Sequence, residues 1–192
     1  MIKIGVLALQ GGYSAHTTLL KQHNIEHLLV RNPKELASTD GLIIPGGESS
    51  VFIKLLQEND LWAALMDYQK PILGTCAGAI LLAKKVFSPS QATLNRIGIT
   101  IERNAYGRQL ASQVKTGTCL LTQSEIEMVF IRAPKITAMD KKSVKILATL
   151  DNQPTAVQEG NCIAATFHPE LSLDNTLHTY FIQLIEKPRV CP

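Results

Sequence analysis

Pro71-Ile72-Leu73-Gly74-Thr75-Cys76-Ala77-Gly78-Ala79-Ile80-Leu81-Leu82-Ala83 is the stretch from which the rest of the chain can be read. An apolar run enters Gly74 and a helix-forming run leaves Gly78. This predicts a strand over Pro71–Gly74 and a helix continuing through Lys85. Between them lies Gly-x-Cys-x-Gly, the spacing of a nucleophile elbow with sulfur in place of a serine oxygen. So tight a turn leaves little room two residues before and two after the nucleophile, and glycine occupies both places. The elbow puts Cys76 at the carboxyl end of a strand and the amino end of a helix, where free N–H groups and the helix dipole favour a thiolate. The Ala77 amide is then placed to stabilise an oxyanion. A buried free cysteine is also a common small core residue, so the pentapeptide alone leaves both readings open.

Upstream, Ile2–Leu9 is a near-continuous apolar run of the kind that fills a central parallel strand. Gln10-Gly11-Gly12 breaks it. A helix over Tyr13–Asn24, a strand over Ile25–Val30, a helical turn from Asn32-Pro33 to Leu36 and a strand over Gly41–Ile44 follow. That β-α-β-α-β order predicts a parallel, doubly wound, three-layer α/β sheet of flavodoxin-like type. Pro45-Gly46-Gly47-Glu48-Ser49-Ser50 stands at the end of the third strand. Ligands in such sheets bind beyond the carboxyl ends of strands, and Ser49 or Ser50 can cap a helix over Val51–Gln57. Leu61–Tyr68 is a further helix. Beyond a polar loop over Ser88–Asn95 the alternation changes. Ile97–Ile101, Thr118–Leu121, Met128–Ile131, Val144–Leu150, Ala156–Gln158 and Cys162–Phe167 are short strand candidates, with a hairpin around Asp151-Asn152-Gln153. They make this half less parallel and predict a mixed sheet with an antiparallel extension, and Asn175–Glu186 closes the chain as a helix. With no linker or repeat, residues 1–192 read as a single domain.

Hydrophobic content is 45% and charged content 18%, enough apolar material for a core, and a net charge of +3 without a dense Lys/Arg block gives no nucleic-acid footprint. The apolar start is too short for a membrane span and lacks a signal-peptide cleavage pattern, so the expected location is the cytoplasm. Of the four cysteines, Cys119 and Cys162 read as core and Cys191 as incidental to the tail. Their spacing suggests no metal site, and a chain of this size and expected compartment is not expected to carry a disulfide framework.

A catalytic cysteine needs a base, and the base needs an orienting partner. His168 ends an apolar strand and is followed by Pro169-Glu170. In extended backbone, residues i and i+2 share a face, which sets Glu170 beside His168 and leaves the other ring nitrogen for the thiol. His16, His23, His27 and His178 lie on polar helix or loop stretches and read as surface residues.

Pro-Gly-Gly, Gly-x-Cys-x-Gly and His-Pro-Glu, in that order, resemble the class I (triad) glutamine amidotransferases. Leu9-Gln10-Gly11, Gly46-Gly47-Glu48-Ser49-Ser50, Glu102-Arg103-Asn104, Gly107-Arg108-Gln109, Phe130-Ile131-Arg132-Ala133-Pro134 and Phe167-His168-Pro169-Glu170-Leu171 narrow the resemblance to the family of glutaminase subunits of pyridoxal 5′-phosphate synthase. Two residues depart from the family pattern: Tyr106, where phenylalanine is frequent, and Lys135, where histidine follows Ala-Pro.

The resemblance implies that Cys76 attacks the side-chain amide of L-glutamine, that His168 moves the proton and that Glu170 orients His168. It implies that Gly47, Glu48, Ser49, Arg103, Ile131 and Arg132 line the glutamine site. No cofactor and no metal are implied. The implied partner is a separate synthase subunit that receives ammonia through a sealed channel, since ammonium is not a nucleophile. Gln10 is expected near that docking face. The other readings are an amidotransferase serving another acceptor synthase, a cysteine hydrolase of the related flavodoxin-like superfamily, and a non-enzymatic docking subunit.

Overall fold

Four short apolar runs build the centre of the molecule. They are β1 (Lys3–Leu7), β3 (Gly41–Ile44), β4 (Ile72–Thr75) and β12 (Cys162–Ala165), and most of their side chains are fully buried. Strands buried on both faces need no polar alternation, which is why they read as continuous hydrophobic segments. The computed structural model describes residues 2–103, 105 and 112–187. Asn104, Tyr106, Gly107-Arg108-Gln109 and Cys191 lie outside the described residues.

β2 (Glu26–Val30) completes a parallel block in the order β2-β1-β3-β4-β12, the flavodoxin-like arrangement. From β12 the sheet continues antiparallel through β11 (Gln153–Glu159), β10 (Lys145–Leu150), β7 (Gln113–Cys119) and β8 (Ser124–Phe130). The expected mixed sheet is therefore present. Asp151 and Asn152, both at positive φ, turn the β10–β11 hairpin. Alternate side chains feed two cores. Ile4, Val6, Ile43, Leu73 and Ile163 pack on one face with Leu20 of α1 (Tyr13–Gln22) and Phe181 of α6 (Thr176–Glu186). Leu42, Ile44 and Ile72 pack on the other with Phe52 of α3 (Ser49–Glu58), Leu61 and Leu65 of α4 (Leu61–Asp67), and α5 (Ala77–Leu82). Leu36 of α2 (Pro33–Ala37) joins this second core.

Three local expectations are corrected. The helix after the elbow stops at Leu82, and Ala83–Phe87 is a strand, β5, pairing parallel with β6 (Ile97–Glu102). Local propensity favours helix in Ala-Lys-Lys, and tertiary pairing overrides it. Lys135–Met139, absent from the expected strands, is β9 and completes this second, three-stranded sheet against β6. The α3 N-cap is neither serine: the Glu48 carboxylate accepts from the Ser50 amide at 3.4 Å.

Candidate active site

Cys76 sits between β4 and α5 at φ 48°, ψ −102°, a strained position for a residue with a Cβ. The surroundings hold it there. Its amide donates to Ala165 O of β12 at 2.8 Å, and its carbonyl accepts from the Ile80 amide at 3.2 Å. The two flanking glycines are needed for packing. A Cβ on Gly74 would lie 2.6 Å from the Gly78 backbone, and one on Gly78 would lie 2.1 Å from Ile44 O.

β12 ends at Ala165, so His168 lies past the strand end, and Pro169–Leu171 form a 3₁₀ turn. The turn, rather than the expected extended backbone, brings the carboxylate back. His168 Nδ1 donates to Glu170 Oε1 at 2.7 Å. The imidazole and the Cys76 thiol line the same cavity. Burial works against the charged ring, yet its interactions with Cys76 and Glu170 outweigh it and raise the His168 pKa to about 10. For Glu170, burial opposes ionisation, while His16 and the bonded His168 favour it more strongly, so its pKa is lowered. Gly46 makes the approach possible, since a Cβ there would stand 2.3 Å from His168 Cε1 and 3.3 Å from Cys76 Cβ.

Cys76, His168, Glu170, Gly47, Glu48, Ser49, Arg103, Ile131 and Arg132 all line one cavity of about 280 Å³. At its mouth Arg103 Nη2 donates to Glu48 Oε1 at 2.6 Å, with Arg103 largely covered and Glu48 half exposed. The Ser49 hydroxyl is already used, donating to Gln91 Oε1 at 2.8 Å. Cys76 Sγ lies 3.9 Å from Ile131 O. Gln10 locks the turn between β3 and α3, donating to Glu48 O at 3.0 Å and accepting from Glu48 N at 3.4 Å. A somewhat larger cavity of about 320 Å³ lies against Lys115, Lys135 and Asp151. Of the nine residues only Arg132 reaches it, so the groups able to do chemistry are in the smaller one.

His16 and His178 correct the sequence reading: both are buried, at 0% and 1% exposure. The pattern that could have revealed them is helical. His16 shares the face of Leu19 and Leu20, and His178 that of Phe181. Burial lowers the pKa of both; for His178, repulsion from His16 adds to burial and takes it to about 3. The unfolded chain therefore binds protons below about pH 6.5 that the folded chain refuses, and stability falls as pH drops. His168 acts in the opposite range: its contribution is complete below about pH 6.5 and is lost as pH rises through about 10. Thermal unfolding is expected at the highest temperature near neutrality. Toward pH 4.5 stability should fall by about 1.4 kcal/mol per pH unit for each histidine that stays neutral. An unfolding temperature flat across that range would contradict this.

A cysteine elbow and an imidazole–carboxylate pair thus share one cavity at the carboxyl edge of a flavodoxin-like α/β sheet. A family model described as the SNO glutamine amidotransferase family matches residues 6–187, and the chain belongs to that family. It is 45% identical to a protein of Koribacter versatilis named pyridoxal 5′-phosphate synthase subunit PdxT, over 96% of each chain. It is 44% identical to a protein of the same name from Thermotoga petrophila, over 96% of this chain and all of that one. A crystal structure described as a glutamine amidotransferase superposes with a TM-score of 0.88 at 38% identity, covering 96% of this chain and 99% of the other. A glutamine amidotransferase from Thermotoga maritima shares the fold at a TM-score of 0.61 and 13% identity, over 95% of this chain and 84% of that one.

Proposed function

We propose that this chain hydrolyses L-glutamine to L-glutamate and ammonia, and delivers the ammonia to a pyridoxal 5′-phosphate synthase subunit. The observation that carries the reading is the convergence of Cys76, His168 and Glu170 on one cavity whose mouth holds the Glu48–Arg103 pair. A free amino acid brings one ammonium and one carboxylate, and a carboxylate–guanidinium pair offers each its complement. In this reading Cys76 Sγ attacks the side-chain carbonyl carbon of glutamine. The oxyanion is held by the Ala77 amide and a glycine amide of the Gly46-Gly47 turn. The C–N bond breaks as His168 protonates the leaving nitrogen, giving ammonia and a γ-glutamyl thioester. His168 then takes a proton from water, which attacks the thioester and releases glutamate. Glu170 keeps the ring oriented throughout. Gly47, Ser49, Ile131 and Arg132 complete the glutamine site.

We treat residues 1–192 as one domain, because a single core joins Ile44 and Ile72 of the large sheet to Ile97, Ile99 and Ile136 of the small one. Cytoplasmic residence is supported by the free thiols of Cys76, Cys119 and Cys162. No helix among the described residues is long and apolar enough to cross a membrane. The test is glutamine-dependent ammonia release with and without the synthase subunit. Stimulation by that subunit, and none by synthases of other acceptors, is expected. Equal turnover with an unrelated acceptor synthase would overturn the assignment of the partner.

A further inference from the structure

Behind Glu170, on the side away from Cys76, lies a buried polar chain that the thioester mechanism does not use. Glu170 gives Oε1 to His168, while its second oxygen, Oε2, is buried without a hydrogen-bond partner among the described residues. His16 Nε2 stands 3.5 Å from Oε2 and 3.2 Å from Thr75 Oγ1. On the other side of the same ring, His16 Nδ1 meets His178 Nε2 at 2.9 Å. His178 Nδ1 is buried and has no partner among the described residues. The three elements involved are distant in sequence: α1 supplies His16, β4 supplies Thr75 and α6 supplies His178.

Two neutral rings in contact must share one proton between them, which leaves two arrangements. In one, His16 Nδ1–H donates to His178. His16 then turns a lone pair toward the Glu170 carboxylate, and His178 buries an N–H with nothing to bond. In the other, His178 Nε2–H donates to His16 Nδ1, and His16 Nε2–H points at Thr75 and Glu170. His178 Nδ1 is then only a bare lone pair, a smaller loss than an orphaned N–H. The second arrangement satisfies more groups and removes a repulsion. Neutrality matters too. A charged His16 would compete with His168 for the carboxylate, and the burial that keeps both rings uncharged prevents this.

We propose that His16, held in its Nε2–H form by His178, is a positioning residue for Glu170. It fixes the carboxylate from behind so that Oε1 stays aimed at His168 while the proton moves between His168, sulfur and leaving nitrogen. His16 touches neither substrate nor the reacting atoms. Thr75 anchors the same N–H and, as the residue before Cys76, ties the carboxylate support to the elbow. The role in turnover rests on the assignment of His168 and Glu170 above; the tautomer does not.

The first test is therefore independent of activity. Nitrogen-15 NMR of the histidine rings is expected to show His16 and His178 as neutral Nε2–H tautomers, with His16 remaining unprotonated below the pH at which an ordinary histidine titrates, because it is buried. A neutral Nδ1–H form of His16, or titration near its ordinary value, would overturn the proposal. The second test assays His16→Leu and His16→Gln with the synthase subunit present. The glutamine amide can supply an N–H toward Oε2, and leucine cannot. His16→Leu is expected to lower kcat roughly 10- to 100-fold with KM changed less than about threefold. The basic limb of its pH profile should move to lower pH as the His168 imidazolium loses a well-placed Glu170 partner; the titratable groups around residue 16 are Glu170, His168 and His178, and His23 acts on His178. His16→Gln should recover most of the rate. A wild-type rate and pH profile in His16→Leu, or equal losses in both variants, would overturn it. A Cys76→Ala chain that still released ammonia would instead sink the triad reading and leave the NMR result standing.

Discussion

Replacing Cys76 with alanine is expected to lower glutamine-dependent ammonia release by about 10⁴-fold or more, with the fold intact. In the proposed mechanism the Cys76 thiol is the nucleophile, and among the described residues no other sulfur lines the cavity. The fold should survive because alanine keeps a Cβ at the same φ and ψ. The strain of φ 48° is unchanged, and the backbone bonds to Ala165 and from Ile80 need no sulfur. Only the contacts of one small buried atom are lost, a cost of about 1 kcal/mol. Circular dichroism and the unfolding midpoint should therefore stay close to wild type. A variant that retained a tenth of the activity would mean that sulfur is not the nucleophile. That outcome would favour a docking role or chemistry based elsewhere.

Gly78→Ala is expected to have the largest effect on stability. The elbow helix α5 crosses β3 so closely that a Cβ on Gly78 would lie 2.1 Å from Ile44 O and 2.9 Å from its carbonyl carbon. The obstruction is backbone in the centre of a parallel sheet, so no side chain can rotate away. Either α5 lifts or β3 shifts, and both carry the site. α5 positions Cys76, and β3 leads into Gly46 and Gly47. The expected cost is about 3 kcal/mol or more, a large share of the stability of a domain this size. Denaturant unfolding measures it. A loss below about 1 kcal/mol would show that the helix can rise without distorting the sheet. Any folded fraction should also be poorly active, because the displacement acts at Cys76, the proposed nucleophile.

The centre of the parallel half was legible because its strands are apolar almost throughout; β2, which opens on Glu26 and His27, is the less buried edge. Ile72–Thr75 and Gly41–Ile44 have no polar face to confuse the pattern. The antiparallel half was legible as strands but with shifted ends. β7 runs from Gln113, five residues earlier than the alternation suggested, because Gln113–Lys115 are not buried and hydrogen-bond to β8 without contributing a hydrophobic side. β5 and β9 were missed for a related reason. Ala83-Lys84-Lys85 favours a helix locally, and Lys135–Met139 buries only Ile136 well, so both are strands by virtue of β6 between them.

At the site, Cys76, Gly46 and His168 each carried a local pattern of their own. Glu170 was found by the right residue spacing and the wrong backbone, a 3₁₀ turn standing in for a strand. His16 and His178 carried no motif. Their roles depend on two helices from opposite ends of the chain meeting behind β4 and the turn carrying Glu170. Only the helical face they share with leucine and phenylalanine hinted at burial. Glu48 took the helix cap expected of Ser49 or Ser50, because its longer side chain can reach both the Ser50 amide and Arg103.

The most direct measurement is rapid quenching of the chain with L-glutamine and the synthase subunit present, followed by peptide mass spectrometry. A γ-glutamyl adduct is expected on the peptide containing Cys76, labile to hydroxylamine as a thioester is. The adduct should form at least as fast as ammonia appears and decay as glutamate is released. Steady ammonia release with an unmodified Cys76 peptide, or an adduct confined to Cys119 or Cys162, would contradict the nucleophilic role of Cys76.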